Sequence, residues 1–113
     1  MLLESKKQGG AANILVISSV SGTNPPPFIG VYGATKAALD NLVKGLAQEL
    51  MFDGIRVNSL APGLIKTEFS GPLWKTERKE VPKEAMGEPE QIGSVAACIC
   101  SPKDGGFING EIF

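Results

Sequence analysis

Asn13-Ile14-Leu15-Val16-Ile17-Ser18 is the stretch on which the fold turns. Its four apolar residues run without alternation, and three of them are β-branched. A strand with one wet face alternates, whereas a strand apolar throughout is covered on both faces, as in a parallel sheet flanked by helices. Before it, residues 1–12 are polar and Gly-rich and read as the tail of an earlier helix plus a turn. After it, residues 19–30 (Ser-Val-Ser-Gly-Thr-Asn-Pro-Pro-Pro-Phe-Ile-Gly) hold three consecutive prolines and two glycines, which exclude helix and central strand.

Val31 to Phe52 then reads as one long helix. Leu39, Leu42, Val43, Leu46 and Leu50 recur at three- and four-residue spacing as an apolar stripe. Ala34, Ala37, Ala38, Asn41 and Gly45 make a second face of small residues, which lets another helix approach closely. Asp53-Gly54 ends the helix. Ile55 to Leu60 is a second strand, broken by Ala61-Pro62-Gly63. Residues 64–87 are mixed in charge, with Phe69, Leu73 and Trp74 interspersed, and read as a solvated segment with a few apolar anchors. Pro89 opens another helix, with Glu88 and Glu90 suiting its positive end. Ser101-Pro102 closes it, Gly105 and Gly106 turn the chain, and Phe107 to Phe113 is a last strand candidate.

Alternation of this kind predicts an α/β fold, with parallel strands joined by helical crossovers. Three strands would leave much apolar surface open. Residues 1–113 are therefore expected to be part of a larger doubly wound domain.

Composition excludes several functions. The chain has 113 residues, enough for one small domain. Eleven basic and twelve acidic residues leave a net charge of −1, which offers no electrostatic surface for nucleic acid or anionic lipid. No apolar run approaches the roughly 18 residues of a membrane span, and the opening Met1-Leu2-Leu3-Glu4-Ser5-Lys6-Lys7 turns polar too early for a signal peptide. With no histidine, Ser-His-Asp and Cys-His catalysis and His-ligated metal are excluded within the chain. Cys98 and Cys100 stand two apart in a helix and point to different sides. They read as buried or half-buried thiols in a reducing compartment, too few for a zinc site.

Ser19, Tyr32 and Lys36 carry the chemistry. Positions i and i+4 share a helix face, so Tyr32 and Lys36 are neighbours. A cation beside a phenol favours the phenolate. Such a phenol gives a proton to a carbonyl oxygen or takes one from an alcohol. Ser19, at the carboxyl end of a parallel strand, is placed to bond the same oxygen, and that end of the strands is where open α/β sheets bind ligands. The plainer alternatives are a packing tyrosine, a solvated helix lysine and a turn-forming or capping serine, with Ser18 and Ser21 competing for the role of Ser19.

Three stretches together, Ile17-Ser-Ser-Val-Ser-Gly, Tyr32-Gly-Ala-Thr-Lys-Ala-Ala-Leu and Ile55-Arg-Val-Asn-Ser-Leu-Ala-Pro-Gly-Leu-Ile-Lys-Thr67, resemble the carboxyl-terminal half of a short-chain dehydrogenase/reductase. The resemblance covers the chain from about residue 11 onward. Ala61 to Ser70 with Leu73-Trp74, and Cys100-Ser-Pro with Ile108-Asn-Gly-Glu111, are similar to the dehydrogenase/reductase member-four group of NADP-dependent carbonyl and retinal reductases. The resemblance implies a Rossmann-type domain and hydride transfer between NADP (or NAD) and a carbonyl or alcohol. Tyr32 is then the acid/base and Ser19 positions the substrate oxygen. Lys36 holds the nicotinamide ribose and favours the phenolate. Pro62 and Gly63 let the backbone approach the nicotinamide, and the Ile65 backbone and Thr67 hydroxyl bind its carboxamide. Within 64–87, residues 68–86 correspond to a substrate lid, where Phe69, Leu73 and Trp74 shield the site from water. The long helix is implied to pack against another subunit in a homo-oligomer. Asn58 is structural in the same reading. A strand-ending turn at Pro62-Gly63 and simple loop anchoring by the aromatic residues are the plainer alternatives.

The chain departs from that family in what it lacks. The Gly-rich dinucleotide turn, the Asn-Ala-Gly segment, the tetrad asparagine and the residue that selects NAD or NADP are absent from these 113 residues. Beyond Phe113 the family has a further segment, which in some members ends in a peroxisomal signal. The expected compartment is cytoplasmic or peroxisomal. Two rival readings stand beside the enzyme: a truncated, non-catalytic product that docks on full-length subunits, and a sugar-nucleotide epimerase or dehydratase sharing Tyr-x-x-x-Lys.

Overall fold

The computed structural model describes residues 12–74 and 85–113. The polar opening, residues 1–11, and most of the expected lid, residues 75–84, lie outside the described residues.

Two strands, β1 (Ala12–Ile17) and β2 (Ile55–Leu60), pair in parallel, with Ala12 opposite Ile55 and Ile17 opposite Leu60. The crossover between them is α1 (Gly30–Leu50), 21 residues long, continued by a 3-10 turn over Met51–Asp53. Gly54 takes φ 66°, a left-handed conformation that costs a residue with a side chain but not glycine. That turn delivers the chain directly into β2. The expected strand and helix thus form within a residue or two of the boundaries read from the sequence.

The core lies where α1 crosses the sheet. Val43 and Val57 are fully enclosed and Ala47 nearly so, with Ile14, Val16, Leu46 and Leu50 packed around them. Each fully buried valine contributes about 1.5–3 kcal/mol relative to exposure. Leu42 departs from the expected stripe and is 54% exposed, because the face that meets β2 is centred on Asp40, Val43 and Ala47. The small-residue face is exposed at Ala34, Ala37, Ala38, Asn41 and Gly45. Most of β1 is only half-buried, as expected for a strand apolar on both faces whose one described neighbour is β2.

After β2 a short helix, α2 (Gly71–Trp74), precedes the undescribed residues, and α3 (Pro89–Cys100) follows them. Pro89 occupies the first turn of α3, where its missing N–H costs nothing. The Gln91 side chain accepts the Glu88 N–H at 2.7 Å. Cys98 and Cys100 are free thiols, and Cys98 is exposed rather than buried. The expected last strand, Phe107 to Phe113, shrinks to a single parallel bridge between Ile112 and Ser59. Side chains replace the ladder along its first part: Asn109 accepts the Val57 N–H at 2.8 Å, and Asn58 donates to the Ile108 carbonyl at 3.0 Å while accepting the Glu111 N–H at 3.0 Å. Arg56 reaches the Ile99 and Ile108 carbonyls at 3.0 and 3.1 Å and so ties α3 to this carboxyl-terminal segment. Among the described residues no helix is long and apolar enough to cross a membrane.

Candidate active site

At the carboxyl ends of β1 and β2 the chain leaves the sheet in two loops. Ser19 follows β1 and opens a 3-10 turn over Val20–Gly22, its hydroxyl accepting the Ser21 N–H at 3.2 Å. The capping role weighed for this serine is therefore present. Ser18 and Ser21 are buried, Ser18 donating to the Lys36 carbonyl at 3.3 Å, whereas Ser19 is half-exposed. The Val20 N–H reaches the Pro62 carbonyl at 3.0 Å, which locks the serine turn to the loop after β2.

Tyr32 and Lys36 stand one turn apart near the start of α1. The Lys36 ammonium lies 5.6 Å from the centre of the Tyr32 ring, within cation–π range, and donates to the Ile17 carbonyl at 3.1 Å. Ile17 closes β1 two residues before Ser19, so the lysine draws the tyrosine and the serine-bearing strand end into one locality. Among the described residues no direct hydrogen bond joins the Ser19 and Tyr32 hydroxyls.

Gly63 is exposed, and among the described residues a Cβ there would meet nothing within 4 Å. Crowding by the described residues does not require glycine at that position. Ile65 bridges Gly87 in parallel, and the Lys66 ammonium pairs with the Glu88 carboxylate. The two ends of the 64–87 stretch are thus tied together, at residues 65–66 and 87–88. Thr67 packs against Ser70, with 3.1 Å between the hydroxyls. Phe69 is 86% exposed. Leu73 and Trp74 close α2, and their side chains lie outside the described residues.

Three features escaped the sequence reading. Asp40 is buried in the middle of α1 and accepts the Ser59 hydroxyl at 2.9 Å, yet its second oxygen has no partner among the described residues. Only its place on the packed helix face, three residues before Val43, could have signalled it. Phe28 holds φ 72° with a fully exposed ring, a strained left-handed conformation just before α1. Ser70 is buried against the Ile65–Thr67 backbone, and the Thr67-x-x-Ser70 spacing, which suits a side-chain-capped turn, was its signal.

A parallel α/β crossover whose strand ends gather a serine, a Tyr-x-x-x-Lys pair and a Pro-Gly loop defines a class of oxidoreductase scaffold. A family model described as enoyl-(acyl carrier protein) reductase matches residues 2–113, and the chain belongs to the short-chain dehydrogenase/reductase family. It is 45% identical over 114 residues to pig (Sus scrofa) dehydrogenase/reductase SDR family member 4, covering 96% of this chain and 40% of that protein. Among solved structures it is similar to the 3-ketoacyl-(acyl-carrier-protein) reductase of Brucella melitensis complexed with NADH: TM-score 0.87, 29% identity, 99% of this chain and 46% of that one. The L-sorbose reductase of Gluconobacter frateurii, complexed with NADPH and L-sorbose, gives a TM-score of 0.81 at 26% identity, over 99% of this chain and 48% of that one. The chain thus spans less than half the length of each of these proteins.

Proposed function

We propose that this chain is the catalytic half of an NAD(P)-dependent reductase or alcohol dehydrogenase acting on a small carbonyl or alcohol substrate. The observation that carries the reading is the Lys36 ammonium, set against the Tyr32 ring while bonded to the strand end that leads into Ser19. The nicotinamide nucleotide, when bound, supplies or accepts the hydride. The residues present fit its nicotinamide–ribose end: open space at Gly63, the Lys36 amine, and the Ile65 backbone and Thr67 hydroxyl on the loop after β2. The Gly-rich turn for its phosphates is absent from these residues, so the chain alone holds half of a cofactor site.

In this reading Tyr32 gives a proton to the carbonyl oxygen during reduction and takes it back during oxidation. Lys36 stands over the Tyr32 ring, held there by its bond to the Ile17 carbonyl. Ser19 holds the substrate oxygen, exchanging its bond from the Ser21 N–H for one to substrate or making both. Phe69, Leu73 and Trp74, on the stretch after β2, shield the site from water. The small-residue face of α1 meets a second subunit.

The test is Tyr32→Phe in the complete protein. Turnover is expected to vanish with folding and nucleotide affinity retained, and near-original turnover overturns the assignment. A second reading, a non-catalytic chain that docks on full-length subunits, draws on the exposed small-residue face of α1. Both readings agree that the isolated chain does not turn over.

A further inference from the structure

We propose that Ser70 is a positioning residue for the nicotinamide carboxamide, and that its hydroxyl holds Ile65 and Thr67 in the geometry that receives that group. The proposal rests on the functional reading above, in which those two residues meet the carboxamide. Ser70 is 7% exposed and lies on the loop after β2, far in sequence from Ser19, Tyr32 and Lys36. Its hydroxyl donates to the Ile65 carbonyl and accepts the Thr67 N–H at 3.2 Å. The two side-chain oxygens stand 3.1 Å apart, and the Ser70 N–H returns to the Thr67 hydroxyl at 3.3 Å. The Thr67 carbonyl lies 3.2 Å from the same serine oxygen.

One small hydroxyl therefore touches both proposed contacts, on the backbone of one and on the backbone and side chain of the other. Opposite it the Ile65 strand is held by Gly87: the Lys66 N–H donates to the Gly87 carbonyl at 2.9 Å and the Gly87 N–H to the Leu64 carbonyl at 3.0 Å. The stretch Leu64–Thr67 is thus gripped from both sides. With Ser70 replaced by alanine, the Ile65 carbonyl and the Thr67 N–H and hydroxyl lose their shared partner and the stretch can rotate. A group that needs two donors or acceptors at fixed spacing then binds less well, whereas the adenosine end of the nucleotide, held elsewhere, feels nothing.

The experiment compares two ligands on full-length protein carrying Ser70→Ala or, should that variant fold poorly, the near-isosteric Ser70→Cys. NADPH carries the carboxamide, and 2′-phospho-ADP-ribose lacks the whole nicotinamide. If NADH is the preferred nucleotide, NADH and ADP-ribose take their places. Binding is read by calorimetry, independently of turnover. The expected result is about a tenfold rise in the Kd for NADPH, the scale of one net hydrogen bond. The Kd of the nicotinamide-free nucleotide should stay within about twofold. Ser70→Thr, which keeps a hydroxyl, should recover most of the NADPH affinity. Equal weakening of both ligands would assign Ser70 to general folding, and unchanged NADPH binding would remove it from the site; either result overturns the proposal. Failure of the unaltered protein to bind either nucleotide would instead sink the functional reading on which it stands.

Discussion

The Ser59 hydroxyl donates to the Asp40 carboxyl at 2.9 Å with both residues buried, and this bond ties the middle of α1 to β2 beneath the candidate site. Ser59 is fully enclosed, and its backbone is also taken: its N–H reaches the Glu111 carbonyl at 2.8 Å and its carbonyl accepts the Phe113 N–H at 3.1 Å. One residue of β2 therefore joins the crossover helix to the carboxyl-terminal segment. Removing either side chain strands the other, and a buried group without its partner costs about 1–3 kcal/mol, more when charged. Ser59→Ala leaves the whole carboxyl group without a partner among the described residues, while Asp40→Ala also removes the oxygen that already lacks one there. Ser59→Ala is thus expected to be the more destabilising change, and Asp40→Asn the mildest. Urea unfolding of the three variants orders them; a larger loss for Asp40→Ala than for Ser59→Ala contradicts this account.

The same carboxyl group explains a glycine. A Cβ on Gly22 would lie 2.9 Å from Asp40 Oδ2, 3.0 Å from the Ala37 nitrogen and 3.1 Å from the Lys36 carbonyl carbon. Two of those neighbours are helix backbone and cannot step aside. Gly22→Ala must push the Ser19 turn off α1, at about 1–3 kcal/mol of overpacking. Because the turn carries Ser19, turnover in the complete protein should fall along with the melting temperature. A variant as active and as stable as the original would show that the turn has slack.

Lys36 can be tested apart from stability. The bond from its ammonium to the Ile17 carbonyl is exposed and so contributes little to folding. Lys36→Met keeps the aliphatic stem and removes the charge. Turnover is expected to drop by at least about 10²-fold, the lower end of what positioned proton transfer contributes. The melting temperature should move by no more than a few degrees. A large loss of stability with little loss of turnover would make Lys36 a structural residue.

What the sequence made legible follows from how local each feature is. Strand β2 runs from Ile55 to Leu60 as read, because Gly54 and Ala61-Pro62 mark its ends in the chain itself. The Tyr32–Lys36 neighbourhood was legible for the same reason, since four residues on a helix is a fixed distance. The Lys36 bond to Ile17 was not, because it depends on where α1 lands on β1. Leu42 was misplaced because three- and four-residue spacing marks a helix face but not the neighbour that covers it. The last strand was overextended because an apolar stretch with Phe107, Ile108, Ile112 and Phe113 has strand composition, while the side chains of Asn58 and Asn109 take backbone bonds that a ladder would use. Asp40 was passed over because a charged residue on a helix is ordinarily solvated, and only packing reveals the exception.

The small-residue face of α1 yields a prediction about assembly. Ala34, Ala38 and Gly45 are exposed along 21 residues of helix, and an arginine there would hold a partnering helix away. Ala38→Arg in the complete protein should lower its oligomeric state by light scattering without lowering its helix content by circular dichroism. An unchanged assembly would move the interface elsewhere on the surface.

Nucleotide binding by the 113 residues alone separates a self-sufficient enzyme from half of one. A dinucleotide's phosphates are cradled by a Gly-rich turn at a helix N-terminus. These residues contain no Gly-x-Gly-x-x-Gly, and no two glycines stand two apart anywhere in the chain. In the proposed reading what remains is the Lys36 amine and the loop after β2, which would meet one end of the molecule. Calorimetric titration of the isolated chain with NADPH is therefore expected to show no binding below roughly millimolar concentration, about three decades weaker than a micromolar site. The complete protein should bind under the same conditions. Micromolar affinity in the isolated chain would mean that the phosphates find a cradle in these residues, and the division of the cofactor site argued from the missing turn would have to be abandoned.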